Sequence, residues 1–240
     1  MTMDLLNFIA KERERFEVRH NNMFAFSLNS VLTYKKFLDI IIDRNANVTT
    51  EFIHNNQAIG ESIKRHKKPR GSISQEEMKL FLENEQISLR LHLEIESFYL
   101  FAKILLDKIS RSLEFYFGAA HKHPLDSHDD LAKNIEVYSK EKKLKIDAEL
   151  ISTIQLLKHN ISDFRDYAIA HEKSPRTLRY YSINEKGARM ILNTIYPKES
   201  DQLKESINLE ELHKNINQYI NQVVEFIRSN SDKTNLTLKK

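Results

Sequence analysis

The chain has 240 residues, which is enough for one large domain or two small ones. It contains only four glycines and four prolines, whereas an average chain carries roughly 12% of these two residues together. Because glycine and proline are the main turn residues, their scarcity argues against many-stranded barrels, sandwiches and propellers and favours long helices. The absence of cysteine excludes disulfide scaffolds, thiolate metal sites and cysteine nucleophiles. The formal net charge of +3 does not by itself indicate a polyanionic partner.

The N-terminal part of the chain shows three helical patterns of apolar residues. A short amphipathic helix is predicted around residues 5–9, and a second helix over residues 24–44. Residues 49–67 have a weaker and more polar helical pattern, which Gly60 interrupts. We therefore expect the N-terminal helices, residues 4–67, either to pack on the remainder of the chain or to extend from it.

The strongest helical pattern covers residues 75–117. Ser74 and Glu77 have the spacing of a capping box, in which each side chain accepts a hydrogen bond from the other residue's backbone at the helix start. From there to Gly118 no glycine or proline interrupts a regular apolar stripe. Such a helix would be about 65 Å long at ~1.5 Å per residue, so it is expected to be kinked or to protrude.

The C-terminal half predicts three more helices. The first covers residues 128–141, and Asp147 can cap the second, which must end before Pro175 because a residue that precedes proline disfavours the helical region. The last helix begins near Asn208, and the tail after Arg228 is expected to fray. The prediction is a mainly all-α fold, a single domain over residues 1–240 that forms a multi-helix bundle with one very long helix.

A small β-hairpin is predicted near residues 177–195. Thr177 to Ile183 reads as a strand rich in β-branched and aromatic residues, and residues 184–187 read as a turn that ends in glycine. The returning strand is predicted to begin at Arg189.

One helical segment carries a candidate catalytic pair, Arg165 and His171. Six residues advance an ideal helix by about 600°, so the two side chains would point ~120° apart. Each would lie about 60° to one side of the apolar stripe predicted for this helix, which consists of Leu157, Ile161, Phe164 and Ala168. The two side chains can therefore meet only if the helix distorts near its end, or if a second copy of the chain supplies the complementary pair at a two-fold seam.

The segment Ser162-Asp-Phe-Arg-Asp-Tyr-Ala-Ile-Ala-His-Glu172 resembles the HEPN superfamily, helical-bundle proteins common in bacterial defence and toxin systems. The motif of that superfamily is an arginine followed, after four to six residues, by a histidine near a helix end. The stretch Leu93–Asp107 also resembles a helix in uncharacterised bacterial relatives. Asp166 stands where many members carry asparagine. The resemblance covers residues 75–230 as a HEPN-like core and implies a homodimer.

The function that the resemblance implies is a metal-independent endoribonuclease of the toxin–antitoxin or phage-defence type. RNA carries its own nucleophile, the 2′-hydroxyl, so cleavage needs a base near neutral pH and a cation for the phosphate. His171 suits the role of general acid and base, and Arg165 suits that of a phosphate clamp. No metal ion or cofactor is needed. Tyr167 would help to position the RNA.

A structural reading of the same residues stays open. Histidine is common at the C-terminal ends of helices because its cationic form interacts favourably with the helix dipole there. The aliphatic stem of Arg165 could lie on the core. The alternative functions are a non-catalytic helical dimerisation or interaction module, and an RNA-binding module that does not cleave.

A basic run provides a second candidate RNA contact. It has five cationic residues in seven positions, a density that can bind a nucleic-acid backbone but is also common in solvated loops. These residues are Lys64, Arg65, Lys67, Lys68 and Arg70.

A histidine-rich stretch, with His121, His123 and His128, could hold a metal ion, although its spacing matches no known site. We interpret this stretch as a solvated loop. No metal ligands are therefore assigned.

The expected partners follow from these readings. They are a second copy of the chain, RNA, and an antitoxin protein. No apolar run approaches the roughly 18 residues that a membrane span needs, and no secretory signal is visible, so the expected location is the cytoplasm and no membrane partner is predicted.

Overall fold

The structure, a computed structural model, describes residues 2–65, 73–165 and 208–239, together with the backbone of residues 177–184, 187–194 and 204–205. Its dominant elements are α-helices, as predicted from the composition. The six α-helices of the described residues are α1 (Thr2–Arg13), α2 (Val18–Arg65), α3 (Gln75–Phe117), α4 (His128–Glu141), α5 (Ala148–Leu157) and α6 (Leu209–Ser229).

The backbone also forms three strands. β1 (Thr177–Asn184) pairs antiparallel with β2 (Gly187–Thr194), and β2 pairs antiparallel with β3 (Lys204–Glu205). The register of the first pair places Thr177 opposite Thr194 and Asn184 opposite Gly187.

Contacts divide the chain into two compact units. Unit 1 comprises Met1–Leu38, Tyr99–Pro175 and Glu210–Lys240, and unit 2 comprises Asp39–Phe98 and Arg176–Leu209. The single-domain organisation predicted from the sequence stays a prediction, and each unit has buried apolar residues of its own.

The long helix α3 confirms the strongest sequence prediction, because it begins and ends where the capping box and Gly118 placed its limits. The backbone N–H of Glu77 donates to Ser74 Oγ at 3.1 Å, and the Ser74 N–H donates to the Glu77 carboxylate. Helices α4 and α6 also form where their apolar periods predicted them.

Helix α2 corrects the prediction of two separate helices, since it runs without a break from Val18 to Arg65. Thr49, the first residue of the weaker and more polar pattern, is buried in it, and so is Asn45, which lies between the two predicted helices. Gly60 does not end the helix, because an internal glycine costs only about 1 kcal/mol.

Aromatic side chains fill much of the core of unit 1. The Phe24 ring lies 5.4 Å from that of Phe16 and 5.6 Å from that of Tyr116, which joins α2 to the end of α3. The Tyr116 hydroxyl donates to the buried carboxylate of Glu12 in α1, and Arg15 pairs with the same carboxylate.

The C-terminal tail is ordered against this core, so the expectation that it frays is wrong. The Asn235 N–H donates to the Tyr116 carbonyl at 2.8 Å, and the Lys239 N–H donates to the Arg15 carbonyl at 2.8 Å. Phe16 and Leu238 form an isolated antiparallel bridge. These backbone hydrogen bonds join sequence-distant segments, which is why helical periodicity could not predict them.

Gly118 ends α3 in a conformation that other residues adopt at a cost. Its φ is +85°, and a Cβ placed there would lie 2.9 Å from Asn235 Cγ. Its carbonyl accepts a 2.7 Å hydrogen bond from the buried Tyr138 hydroxyl. A side chain at this position would therefore strain both the backbone and the packing of the tail.

Gly118→Ala is expected to lower the free energy of unfolding by about 1–2 kcal/mol, because an L-residue in the left-handed region carries that cost. Gly60→Ala is the matched control. A Cβ at Gly60 has nothing within 4 Å, so this change is expected to stabilise α2 by about 0.5–1 kcal/mol. Urea titration of both variants measures whether each change raises or lowers the free energy of unfolding. A Gly118→Ala variant that is more stable than the original protein would contradict the argument.

In unit 2, the second half of α2 and the first half of α3 run antiparallel. Arg44 pairs with the buried Glu94 at 2.7 Å, and Arg90 pairs with Glu51. Apolar residues of both segments are buried, among them Ile41, Val48, Ile59, Ile87, Leu91 and Ile95. Among the described residues of the chain, no helix combines the length and the apolar character that crossing a membrane requires.

Candidate functional site

The segment that carries Arg165 departs from an ideal α-helix. Helix α5 ends at Leu157 and continues as a π-helical turn, Lys158–Asp163, which we call the π-turn. Asp147 occupies the N-cap position of α5 as predicted, although its side chain makes no capping hydrogen bond. A π-turn holds one residue more than an α-helical turn and is frequent at functional sites.

Arg165 lies two residues beyond the π-turn, in the last described residues of this segment. The side chain is half-buried, and its Nε is shielded from solvent. The placement of Arg165 about 60° beside the stripe stays a prediction.

Phe164 holds this segment against α3. Its ring lies 4.9 Å from the ring of the buried Tyr99, with an interplanar angle of 32°. Within the π-turn, Lys158 Nζ binds the Asp163 carboxylate at 2.8 and 3.1 Å. The residue that immediately precedes Arg165 is therefore fixed to the buried face of α3.

One helical turn beyond Tyr99, the buried side of α3 carries a charged residue, Lys103. Lys103 is buried, and its Nζ lies 3.0 Å from Asp107 Oδ1 and 2.8 Å from Asp129 Oδ2. We call Lys103, Asp107 and Asp129 the charged cluster. Asp107 Oδ1 also accepts the His128 backbone N–H at 2.8 Å, so the cluster caps the start of α4.

The Lys103 ammonium governs the ionisation of Asp129. Burial alone would raise the pKa of the Asp129 carboxyl. The hydrogen bond and charge of Lys103, with the charge of Lys158, outweigh this effect and lower the pKa. The Asp129 carboxyl is therefore ionised at neutral pH.

His128 is a buried neutral histidine beside the charged cluster. It is 0% exposed, and its ring meets the Tyr219 ring edge-on at 5.8 Å. Within the described part of the chain, neither ring nitrogen has a hydrogen-bond partner. Burial first, and then the charges of Lys103 and Lys158, lower the pKa of His128 to about 3, while the charge of Asp129 opposes this shift.

The burial of His128 corrects the solvated-loop interpretation of the histidine-rich stretch. His121 is exposed and His123 half-exposed, whereas His128 is the first residue of α4 and lies in the core. Among the residues that the structure describes, no group of three or more histidine and acidic side chains is placed to hold a metal ion.

The other predicted site residues are only partly described. His171, Tyr167, Lys67, Lys68 and Arg70 lie outside the described residues. Lys64 and Arg65 form the exposed end of α2 in unit 2, where Arg65 lies 3.9 Å from Glu76. The meeting of Arg165 with His171 therefore stays a prediction.

Sequence reasoning missed the charged cluster and His128 as part of this region. One signal was available, because Tyr99, Lys103 and Asp107 are spaced i, i+4, i+8 on one side of α3, within its apolar stripe. A lysine inside such a stripe must find partners in the core. The pairing with Asp129 joins separate helices and has no local signature.

Comparisons with protein-family models, with curated proteins and with solved structures found no match for this chain.

Proposed function

We propose that the chain is a HEPN-like, metal-independent endoribonuclease in which Arg165 binds the scissile phosphate of RNA. The observation that carries the proposal is the half-buried Arg165 at the end of the π-turn. A guanidinium with part of its fork shielded from water interacts more strongly with a phosphate than an exposed one does. The resemblance of the Arg165–His171 segment to the HEPN motif supplies the second support.

The proposed reaction uses His171 as general base and acid. The imidazole removes the proton of the 2′-hydroxyl, and the resulting oxygen attacks the adjacent phosphorus. The bond from phosphorus to the 5′-oxygen breaks, and the protonated imidazole returns a proton to that oxygen. Arg165 stabilises the charge that develops on the phosphate. The products are a 2′,3′-cyclic phosphate and a 5′-hydroxyl, so atoms and protons balance without a metal ion.

Because the predicted helix would point the two side chains about 120° apart, the proposed site forms where two copies of the chain associate. Tyr167 and the basic run Lys64, Arg65, Lys67, Lys68 and Arg70 would position the RNA. A ribonuclease of this type would need restraint in the cell, which an antitoxin protein could supply. The proposed role is that of a cytoplasmic toxin or phage-defence protein.

One observation favours the alternative of a non-catalytic interaction module. In unit 2, Leu82, Leu89 and Leu93 of α3 are each more than half exposed. Their spacing places them within about 40° of each other around the helix. Such an apolar strip is typical of a surface that contacts another protein.

The test is incubation of the purified protein with mixed RNA in EDTA, beside an oligonucleotide of the same sequence with 2′-deoxyribose throughout. We expect cleavage of the RNA alone, with cyclic phosphate and 5′-hydroxyl ends. RNA binding without cleavage would instead support the binding module. The absence of both binding and cleavage would support the interaction module. Binding without cleavage and the absence of both each contradict the proposed reaction.

A further inference from the structure

Helix α3 carries an exposed apolar strip in unit 2, which we call the α3 strip. Its members are between 49% and 59% exposed: Met78, Leu82, Leu89 and Leu93. They are four, seven and four residues apart, so they share one face of the helix over about 22 Å at ~1.5 Å per residue. The buried residues Ile87 and Leu91 lie on the opposite side of α3. The strip is therefore no part of the buried face.

The strip belongs to an 11-residue repeat that includes charged residues. Two consecutive repeats have the order apolar, basic, apolar, acidic: Met78, Lys79, Leu82 and Glu85 in the first, and Leu89, Arg90, Leu93 and Glu96 in the second. The apolar positions recur once more in the sequence, at Leu100 and Ile104. Eleven residues make three helical turns to within about 20°. Equivalent residues of the two repeats therefore lie one above the other along α3.

The charged residues of the repeat lie on opposite edges of the α3 strip. At about 100° per residue, Lys79 and Arg90 lie roughly 70–90° to one side of its centre, and we call them the basic edge. Glu85 and Glu96 lie roughly 30–50° to the other side, and we call them the acidic edge. Glu83 lies further round the helix, beyond the basic edge. The strip is thus bordered by positive charge on one side and by negative charge on the other.

The edge residues stay accessible although two of them have contacts within the chain. Arg90 pairs with Glu51 of α2, yet half of its side chain is exposed. Glu96 contacts His92, and its side chain is 26% exposed. Glu85 is exposed. Because a guanidinium has five N–H donors, Arg90 can bind a second carboxylate without releasing the first.

The positions of these charges select the orientation of a second copy of the helix. In a parallel pair related by a two-fold axis, the basic edge of each helix faces the acidic edge of the other. In an antiparallel pair, each edge would face its own kind, and like charges across an interface are unfavourable. Glu85 and Arg90 are five residues apart. The same offset separates a g residue from the e residue of the next heptad, the pair that forms interhelical salt bridges in parallel coiled coils.

We propose that the α3 strip is a homodimerisation surface, on which α3 of a second copy packs in parallel so that each strip residue faces its own equivalent. The surface is separate from the seam proposed for Arg165 and His171. The inference does not rest on the proposed ribonuclease, and its test uses no RNA, so either can fail without the other.

Single-cysteine variants test the proposal directly, because the chain contains no cysteine of its own. Leu82→Cys and Leu89→Cys each bring two thiols together across the two-fold axis, at the Cα separation of about 4.4–6.8 Å that a disulfide needs. Each is expected to form a linked dimer in a glutathione redox buffer, seen as a doubled mass on a non-reducing gel. Ala46→Cys, at an exposed residue of α2 in unit 2, is the control and should not link.

A mixture of differently tagged Leu82→Cys and Leu89→Cys chains separates the two orientations. An antiparallel pair centred on the strip would place Leu82 opposite Leu89, so disulfides would form between the two variants and not within either one. That result would overturn the proposal. The absence of a linked dimer from either variant alone would also overturn it, and so would equal linkage in Ala46→Cys. Met78→Cys and Leu93→Cys repeat the test if a variant loses its helical circular dichroism.

A charge variant tests the parallel orientation without a change to the apolar residues. Glu85→Lys, made in the Leu89→Cys chain, is expected to lower the yield of linked dimer about twofold to fivefold, the range of one exposed ion pair. Glu61→Lys makes the same charge change at an exposed residue of α2 and should leave the yield unchanged. An unchanged or higher yield with Glu85→Lys, or an equal loss with Glu61→Lys, would contradict the parallel arrangement.

Discussion

His171→Ala is expected to lower kcat/KM for RNA cleavage by about 10²–10⁴-fold, the range that a positioned general acid or base contributes. Arg165→Ala is expected to lower it by about 10²–10³-fold, as does the loss of one group that stabilises transition-state charge. Arg165→Lys keeps the charge but loses the planar fork, so its activity should lie between those of Arg165→Ala and the original protein. Initial rates on a fluorescent RNA oligonucleotide in EDTA measure all three effects.

The matched controls are an exposed histidine on the π-turn and an exposed arginine on α3. His159→Ala and Arg111→Ala change the same residue types in unit 1, away from the predicted pair in sequence. Both should cleave RNA at the original rate. Equal activity in His171→Ala and His159→Ala would show that the observed cleavage does not use the proposed base.

The second large effect is a loss of stability in acid that comes from His128. Its pKa falls from the ordinary value of 6.5 to about 3 in the folded state, first because of burial. Above pH 6.5 the ring is neutral in both the folded and the unfolded chain and contributes no pH dependence. Between pH 6.5 and 3 only the unfolded chain takes up the proton, so the free energy of unfolding falls by about 1.4 kcal/mol per pH unit.

His128→Leu should remove this dependence. Leucine cannot take up a proton, and the backbone N–H that bonds to Asp107 is retained. Urea titrations between pH 7 and 4 are expected to show a shallower loss of stability in the variant than in the original protein. His121→Leu is the control for loss of an exposed histidine. Identical slopes for His128→Leu and the original protein would show that the buried ring is not the source.

The sequence predicted best those elements whose signals are local. The limits of α3 follow from a capping box at Ser74 and a glycine at position 118, and both lie within one turn of the helix ends they determine. Helices α4 and α6 likewise have apolar periods that their own residues complete.

The errors arise where distant residues decide the structure. Helix α2 is continuous, and the polar residues Asn45 and Thr49 lie on its buried face. From the sequence alone, polar residues at such positions suggest that the helix ends there. The ordered tail depends on backbone hydrogen bonds to Tyr116 and Arg15, more than a hundred positions away in sequence. Neither feature has a local signature.

The candidate site likewise combines features that the local sequence indicates with features that depend on distant residues. Residue type and spacing identified Arg165 and His171, because a guanidinium and an imidazole are suited to phosphate chemistry. The π-turn was not predicted, since the apolar period up to Ile161 is that of an ordinary helix. The burial of His128 depends on Tyr219 of α6, which lies about ninety residues further along the chain.

The central claim is that Arg165 and His171 act together in a pocket shared by two copies of the chain, and mixed dimers test it most directly. Arg165→Ala and His171→Ala chains carrying different tags are co-expressed, and the mixed species is isolated through both tags. It retains one guanidinium and one imidazole on opposite chains. The account predicts that the mixed dimer cleaves RNA well above either parent variant. A mixed dimer as inactive as both parents, or an original protein that remains monomeric while it cleaves RNA, would contradict it.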